Sequence, residues 1–487
     1  MSDTQRSIPS LRKHLAIVIS TAAIVRICFM LCNWSGYTAK FLEGMSTSYF
    51  CGGYGIAAGY GYVDDPKTEE LFERIKVRNI RFTPEVVEPL TDAIPYALRP
   101  PGLSLVVAGI NRILGMRADV PVQILGILLD TLAAGITFWI GRSCLGWKTG
   151  FIGGLIFAIF PPLAYTSICK IPCGLLSFFI VTFLACTLRA TWSRGWRAVG
   201  WLLVGGLSVG LGSYLRPDYL LAPVFITCGV WAYTHRFWRS VGAMTVVQII
   251  AFLVLLPWAY HNHLVMDRWV FTSTGVGPAL VTGLAEFDNP WGYKYGDDGR
   301  VQQTKDAGIS YPWGNDADLY MRKLFWSSIE EHPLGYIKAV AKRIPIALAT
   351  PFWWGYDNPN KATFFEARMQ SGLHREQFYM LHWKEAILAN WQFMPIALFT
   401  FACSVCVIIM FVKEWSRAGL ILLLVSPHLY SLISHILTHF EERFILPSMF
   451  CWLLAMGYVL AKGWRYRDET PHRTCAWAPA GVHRQTA

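Results

Sequence analysis

Residues 119–141 read DVPVQILGILLDTLAAGITFWIG, an apolar run interrupted in its interior by one acid, Asp130. A helix of roughly 17–25 apolar residues is long enough to cross the hydrocarbon core of a bilayer. Further runs of this kind lie at 14–33, 149–165, 173–188, 199–214, 219–233, 240–258, 391–412, 418–437 and 444–461. The pattern predicts an all-α polytopic membrane protein with about ten transmembrane helices.

The composition favours the same fold class. Of 487 residues, 54% are hydrophobic and 15% are charged, which is too little charge to cover a soluble globule of this size. The 21 Trp and 21 Tyr suit membrane interfaces, where rings with one polar end collect. The net charge of +11 indicates attraction to anionic lipids, and we find no nucleic-acid motif. Membrane lipids, and no nucleic acid, are therefore the expected partners.

Two shorter apolar runs, 103–115 and 335–352, decide the topology, because each carries at least one basic residue. If both lie in the outer interface, the basic clusters at helix ends face the cytoplasm, as is usual for membrane proteins. These clusters are Arg12-Lys13, Arg142 with Lys148, Arg189 with Arg194 and Arg197, Arg236 with Arg239, Lys413 with Arg417, and Lys462 with Arg465 and Arg467. The charges favour ten spans with both termini in the cytoplasm; twelve spans is the alternative.

Long connections divide the chain into parts. An N-terminal transmembrane module, 1–258, includes a first extracytoplasmic loop at 34–101. A second extracytoplasmic loop covers 259–390, and long ordered loops often carry function. C-terminal transmembrane helices at 391–462 and a cytoplasmic tail at 463–487 complete the predicted organisation.

Both loops are predicted to carry helices that lie along the membrane. In the first, residues 52–62 indicate a short amphipathic helix that ends in a Gly turn. In the second, Glu330-Glu331-His332-Pro333 indicates a helix start, with acids in the first turn and then a proline. We expect the Lys and Arg residues of this second helix, Arg343 among them, to face solvent or lipid phosphate.

Three polar motifs lie at ends of apolar runs: Arg99-Pro100-Pro101-Gly102, Arg216-Pro217, and His439 with Glu441, Glu442 and Arg443. An arginine held on a rigid backbone beside a helix can bind two phosphate oxygens at once. With ten spans, all three motifs reach the outer surface, which predicts a site there for a charged lipid headgroup. Each motif also has a structural alternative. The first would only fix the loop, the second would be a helix break whose arginine extends its side chain to the membrane surface, and the third would be a local Glu–Arg pair.

No metal or cofactor is predicted. The acids Glu286, Asp288, Asp297 and Asp298 lack EF-hand spacing, and His439 has no partner at zinc-ligand spacing. No G-x-G-x-x-G follows a strand, so a nucleotide site is not indicated. For the intramembrane acid Asp130, a structural hydrogen bond is favoured, and a proton relay is the alternative.

Five segments, in order, resemble the motifs of one family. Residues 99–103 resemble R-P-P-G-Y, 213–217 L-x-R-P, 257–262 P-W-x-x-R-N with His261 in place of the arginine, 273–283 T-x-x-G…G-N, and 442–447 E-x-R-Y-x-L-P. The chain resembles the integral-membrane glycosyltransferases of the GT-C class. The likeness is strongest to the bacterial branch similar to protein O-mannosyltransferases and the lipid A aminoarabinose transferase.

The resemblance implies many transmembrane helices with periplasmic loops over an active site at the outer leaflet. It implies transfer of a sugar from a polyprenyl-phosphate donor to a lipid, glycan or protein acceptor in the bacterial inner membrane. A first-loop carboxylate would deprotonate the acceptor hydroxyl, and arginines would hold the departing phosphate. The substrate-binding residues expected on this basis are Arg99, Arg216, His261, Glu442 and Arg443.

The family's first-loop acid is missing from its usual place. Aligning the pattern on residues 49–62 puts Met45 at the Asp position and Ser48 at the position of a Glu variant. Glu43, two residues before Met45, is the candidate base. Further candidate acids are Asp64, Asp65 and Asp92. Two alternatives stay open: an inactive relative that binds or assembles glycan lipids, and a lipid or glycan transporter, which would place polar residues in mid-membrane.

Overall fold

A computed structural model describes residues 11–32, 37–64, 66–77, 80–82, 94–95, 97–349, 381, 384, 394–439 and 444–463. The side chains of residues 37–46, 64, 66–68, 72, 76–77, 94–95, 298 and 349 lie outside that description. Within it the regular secondary structure is helical except for one antiparallel pair of two-residue strands, β1 (Val63–Asp64) and β2 (Ile94–Pro95).

The helices fall into three groups along the chain. The first is α1 (Leu11–Cys32), α2 (Tyr37–Ala58), α3 (Pro66–Val77), α4 (Gly102–Leu114), α5 (Asp119–Leu145), α6 (Trp147–Ile159), α7 (Pro161–Ile168), α8 (Pro172–Trp192), α9 (Trp196–Leu215), α10 (Ala222–Thr234) and α11 (Phe237–Met266). The second is α12 (Val276–Leu284), α13 (Asp297–Asp306), α14 (Asn315–Glu331) and α15 (Pro333–Ala349). The third is α16 (Met394–Lys413), α17 (Ala418–Leu437) and α18 (Phe450–Gly463).

Within the described residues, seven helices are long and apolar enough to cross a membrane, and α6 with α7 makes an eighth if the bent pair is one span. The seven are α1, α5, α8, α9, α11, α16 and α17. All ten predicted runs coincide with helices, but three of them are not single long ones. The runs at 219–233 and 444–461 each begin with a 3-10 turn and continue into helices of 13 and 14 residues. At 1.5 Å per residue, such a helix rises only about 20 Å.

The third exception, the run at 149–165, is bent by 53° between α6 and α7. Pro161 and Pro162 follow the break, and neither has an N–H to give to the preceding turn. The carbonyl of Ala158 therefore lacks its helical donor four residues ahead. Arg26 of α1 supplies one instead, since its Nη1 donates to that oxygen at 2.8 Å.

The outer faces of the long helices expose large apolar side chains. Leu31 of α1 is 63% exposed, Leu253 of α11 55% and Ile408 of α16 64%. The inner faces of α1, α5, α8, α9, α16 and α17 pack together in one buried apolar cluster. Helices that are apolar outside as well as inside suit a hydrocarbon solvent, because their backbone groups are paired internally. The protein is a multi-pass helical membrane protein.

One ion pair is buried inside this bundle. Arg26 of α1 donates from Nε to Asp130 of α5 at 2.6 Å, and both side chains are almost fully shielded. The same guanidinium also donates to the carbonyl oxygen of Ala22 at 3.0 Å. Asp130 is thus a partner in a structural pair, as the favoured interpretation of the sequence expected.

The two short apolar runs are the helices α4 and α15. The α4 helix packs its buried face, which includes Leu103 and Val107, against α2. As predicted, α2 ends in a glycine turn, with Gly59 and Gly61 at positive φ. The helix is not the short one expected within residues 52–62, because it begins at Tyr37 and has 22 residues. The expectation for the second loop needs correction: Glu330 and Glu331 end α14, and only Pro333 begins α15.

Candidate active site

The Arg99 turn, residues 97–102, leads directly into α4. Pro101 is the N-cap and Gly102 the first helical residue, so the proline pair sets the helix start. The carbonyl of Arg99 accepts a hydrogen bond from the Tyr62 hydroxyl at 3.3 Å. Its guanidinium carbon lies 5.6 Å from the centroid of the Tyr49 ring, a cation–π distance. The turn therefore holds a partly exposed cation against the C-terminal part of α2.

Gly102 is the point at which the Arg99 turn meets the end of α9. A Cβ on Gly102 would lie 2.5 Å from the carbonyl oxygen of Tyr214, closer than non-bonded atoms approach. Because no side chain separates them, the first two motif segments are in direct backbone contact.

We expect Gly102→Ala to destabilise the protein by about 1–3 kcal/mol, the usual cost of overpacking a tight contact. The matched control is Gly109→Ala in the same helix, where a Cβ meets nothing within 4 Å. That change should stabilise by about 0.5–1 kcal/mol, because alanine loses less backbone entropy in a helix. Unfolding in mixed micelles would measure both; equal effects of the two substitutions would contradict the close contact.

The segments 257–262 and 273–283 pack around the same turn. The Trp258 ring lies 5.5 Å from that of Tyr62, and His261 stacks on Trp258 at 5.2 Å. The Thr274 N–H donates to the Ala97 carbonyl at 2.7 Å. The predicted site residue His261 is therefore linked to the Arg99 turn through two aromatic rings.

Arg216 is buried, at 8% exposure, and is held by several partners. Its Nε donates to Asp218 at 3.0 Å, and its Nη2 lies 3.3 Å from Nε2 of His435. His435 in turn lies 3.2 Å from the second carboxylate oxygen of Asp218. The guanidinium carbon is 4.1 Å from the centroid of the Phe444 ring, which belongs to the last motif segment.

The charge of Asp218 is stabilised by this arrangement. Burial by itself raises the pKa of the Asp218 carboxyl, but Arg216 and the contact with His435 outweigh burial and hold that pKa well below its usual range. A phosphate that reached Arg216 would therefore meet a guanidinium already bound to a carboxylate.

The Arg343 cluster, made of Arg343, Glu286 and His439, ties the second and third helix groups together. Arg343 is fully buried and donates from Nε to Glu286 at 2.8 Å. It also donates to the carbonyl oxygens of Ile436, at 2.9 Å, and Gly283. Nδ1 of His439 lies 3.9 Å from the Glu286 carboxylate. The expectation that Arg343 faces solvent or lipid phosphate is therefore wrong.

Several predicted site residues fall outside the described residues. Glu43 lies on the backbone of α2, but its side chain is not described. Glu442 and Arg443 fall in 440–443, between His439 and Phe444. The same holds for the further candidate acids, which are the side chain of Asp64 and the whole of Asp65 and Asp92.

Sequence reasoning missed Asp218 and His435. Asp218 stands two residues after Arg216, a spacing that lets a short acid fold back onto a guanidinium. His435 lies in the last turn of α17, and an ionisable residue inside a span is itself a signal for a polar partner. Across the residues that the structure describes, no group of three or more His, Cys, Asp or Glu side chains could hold a metal ion.

Comparison with protein-family models and with curated protein sequences gives no match. Among solved structures, the chain is similar to the archaeal oligosaccharyltransferase AglB from Archaeoglobus fulgidus in complex with an inhibitory peptide and a dolichol-phosphate. The two are 14% identical with a TM-score of 0.48, over 92% of this chain and 50% of that one. The apo form of the Archaeoglobus fulgidus oligosaccharyltransferase gives 15% identity, a TM-score of 0.40, and coverage of 92% and 55%. The chain thus spans about half the length of these structures.

Proposed function

We propose that the protein is a membrane glycosyltransferase that moves a sugar from a polyprenyl-phosphate donor to an acceptor hydroxyl at the extracytoplasmic face. The acceptor oxygen attacks the anomeric carbon, the bond from that carbon to the phosphate oxygen breaks, and the acceptor proton passes to a carboxylate. The lipid phosphate leaves with the bonding electrons, and attack from the opposite face inverts the anomeric centre.

One observation carries this proposal: segments far apart in the sequence are joined by a chain of contacts that starts at the Arg99 turn and reaches Phe444 through the segment of Tyr214 and Arg216. Gly102 contacts Tyr214, and Thr274 bonds to Ala97. Arg216 contacts Phe444. A cation on a rigid turn beside aromatic rings is suited to a lipid phosphate, whose negative charge increases as the sugar departs.

The residue roles follow from these positions. Arg99, partly exposed, binds the leaving phosphate. Arg216 remains bound to Asp218 and offers the phosphate an N–H that the carboxylate does not use. His261, also partly exposed, contacts the sugar or the acceptor beside Trp258. Glu43 is the proposed base, and Glu442 and Arg443 complete the donor site. We place the enzyme in the bacterial inner membrane with both termini cytoplasmic; the acceptor is a lipid, a glycan or a protein.

The test is transfer from radiolabelled polyprenyl-phosphate sugars in membranes that contain the full chain. Arg99→Ala should lower the rate by roughly 10²–10³-fold, the usual effect of removing one group that stabilises transition-state charge. The control is Arg74→Ala, which removes an equal charge from an exposed site on α3 and should leave the rate unchanged.

Glu43→Gln separates the roles of base and binding group. If Glu43 is the base, this variant binds the donor normally and does not transfer it. Unchanged transfer would exclude Glu43. If the wild type binds donor without transferring sugar to any acceptor class, the protein is an inactive relative and the proposal fails.

A further inference from the structure

A cavity of about 290 Å³ lies between α13, α14 and the turn at 291–296. It shares no lining residue with the contacts around the Arg99 turn. Its wall includes Trp291, Tyr293, Gln302, Gln303, Asp306 and Tyr320. Ligand pockets usually measure roughly 300–1,000 Å³, so this cavity suits a small ligand.

One wall of the cavity is aromatic and fixed in place. The rings of Trp291 and Tyr293 stack with centroids 6.2 Å apart and planes 19° apart. Their polar ends are bound to Ser328 of α14: Trp291 Nε1 donates to its carbonyl at 2.8 Å, and the Tyr293 hydroxyl lies 2.9 Å from its Oγ. The Tyr293 N–H donates to the side-chain oxygen of Asn289 at 3.0 Å. With the polar ends bound to Ser328, these rings offer the cavity mainly carbon.

A second part of the lining is polar and belongs to α13. Gln302 donates from Nε2 to Asp306 at 2.6 Å, and both side chains are exposed. A Gln amide offers two donors and one acceptor, and a carboxylate offers two oxygens, so the pair keeps hydrogen-bonding capacity beyond this bond. A Cβ on Gly299 would overlap the carbonyl oxygen of Lys294. Glycine therefore allows α13 to lie directly against the turn.

We propose that this cavity binds a neutral saccharide residue. A pyranose ring has apolar C–H faces that stack on aromatic carbon, and a rim of hydroxyls that bond to amides and carboxylates. The lining of the cavity offers both kinds of surface. A purely apolar ligand would leave the Gln302–Asp306 pair unused. The lining carries one acid, Asp306, and one base, Lys294, so it has no net charge that would favour an ionic ligand. The site is independent of the proposed transfer reaction, because it requires binding alone.

The test is saturation-transfer difference NMR on the full chain in lipid nanodiscs. The probes are the methyl glycosides of glucose, mannose and N-acetylglucosamine. At least one should receive saturation at its ring C–H protons. The double variant Gln302→Ala/Asp306→Ala should weaken its binding at least tenfold, about 1.4 kcal/mol. The control is Lys305→Ala, an exposed residue on the same helix that does not line the cavity and should leave binding unchanged.

Arg99→Ala distinguishes this cavity from the proposed transfer site, and should leave the NMR signal intact. The inference is overturned if none of the three sugars binds, or if the signal survives in the double variant. It is also overturned if Arg99→Ala alone removes the signal, since binding would then belong to the transfer site. If the wild-type protein binds one of these sugars but transfers none from any polyprenyl-phosphate donor, the proposed function fails and the cavity proposal stands.

Discussion

Replacing Arg343 with methionine is expected to lower the free energy of unfolding by about 3–5 kcal/mol, the usual cost of removing one partner of a buried ion pair. The variant leaves the Glu286 carboxylate, which is 2% exposed, without its guanidinium. It also removes the donor that the carbonyl oxygens of Gly283 and Ile436 share. Those two oxygens belong to α12 and α17, so the link between the second and third helix groups weakens.

The measurement is SDS-induced unfolding in mixed micelles, followed by tryptophan fluorescence. The control is Lys338→Met, an exposed residue on the same helix, for which a change within about 0.5 kcal/mol is expected. Glu286→Gln should recover part of the loss in the Arg343→Met background, because the unpaired charge is removed. A small effect of Arg343→Met alone would show that water reaches the cluster.

The sequence predicted the helical membrane class because the thickness of the hydrocarbon core sets the minimum length of a spanning helix. Apolar runs of that length can be recognised directly in the sequence. It also located the start of α4, because Pro100 and Pro101 act on their own neighbours. The bend between α6 and α7 was not predicted, although its cause is also local: Pro161 and Pro162 stand inside the run at 149–165 and remove two backbone donors there. These signals are local: each can be interpreted from neighbouring residues in the sequence, without knowledge of the tertiary contacts.

The burial of Arg343 could not be predicted in this way. Its neighbours Lys338 and Lys342 lie on the same helix and remain in contact with solvent, so local sequence suggests the same for all three. The difference is Glu286, 57 residues earlier, which supplies the compensating charge. In the same way, Arg216 contacts His435, which lies 219 residues later in the chain and which the Arg216-Pro217 motif does not indicate. A buried charge depends on tertiary pairing, which sequence spacing does not encode.

Asp130→Leu is expected to cost about 3–5 kcal/mol, because it leaves the Arg26 guanidinium charged inside the bundle. The double variant Arg26→Leu/Asp130→Leu should recover most of that loss, since apolar pairs often replace buried ion pairs without destabilisation. Recovery should be incomplete by about 1–3 kcal/mol. The carbonyl of Ala158, which Pro162 cannot serve, then loses its donor and stays unsatisfied.

The double variant also decides between the two roles considered for Asp130. If Asp130 only holds Arg26, the double variant folds and, on the proposed function, transfers sugar at close to the wild-type rate. If Asp130 relays protons, the same variant folds and is inactive, because leucine has no proton to exchange. The transfer assay on the folded double variant therefore distinguishes a structural ion pair from a catalytic acid. The stability measurement alone cannot make this distinction. We expect the double variant to be active. The Arg26 guanidinium also donates to the carbonyls of Ala22 and Ala158, so its contacts are those of a structural link between α1 and the end of α6.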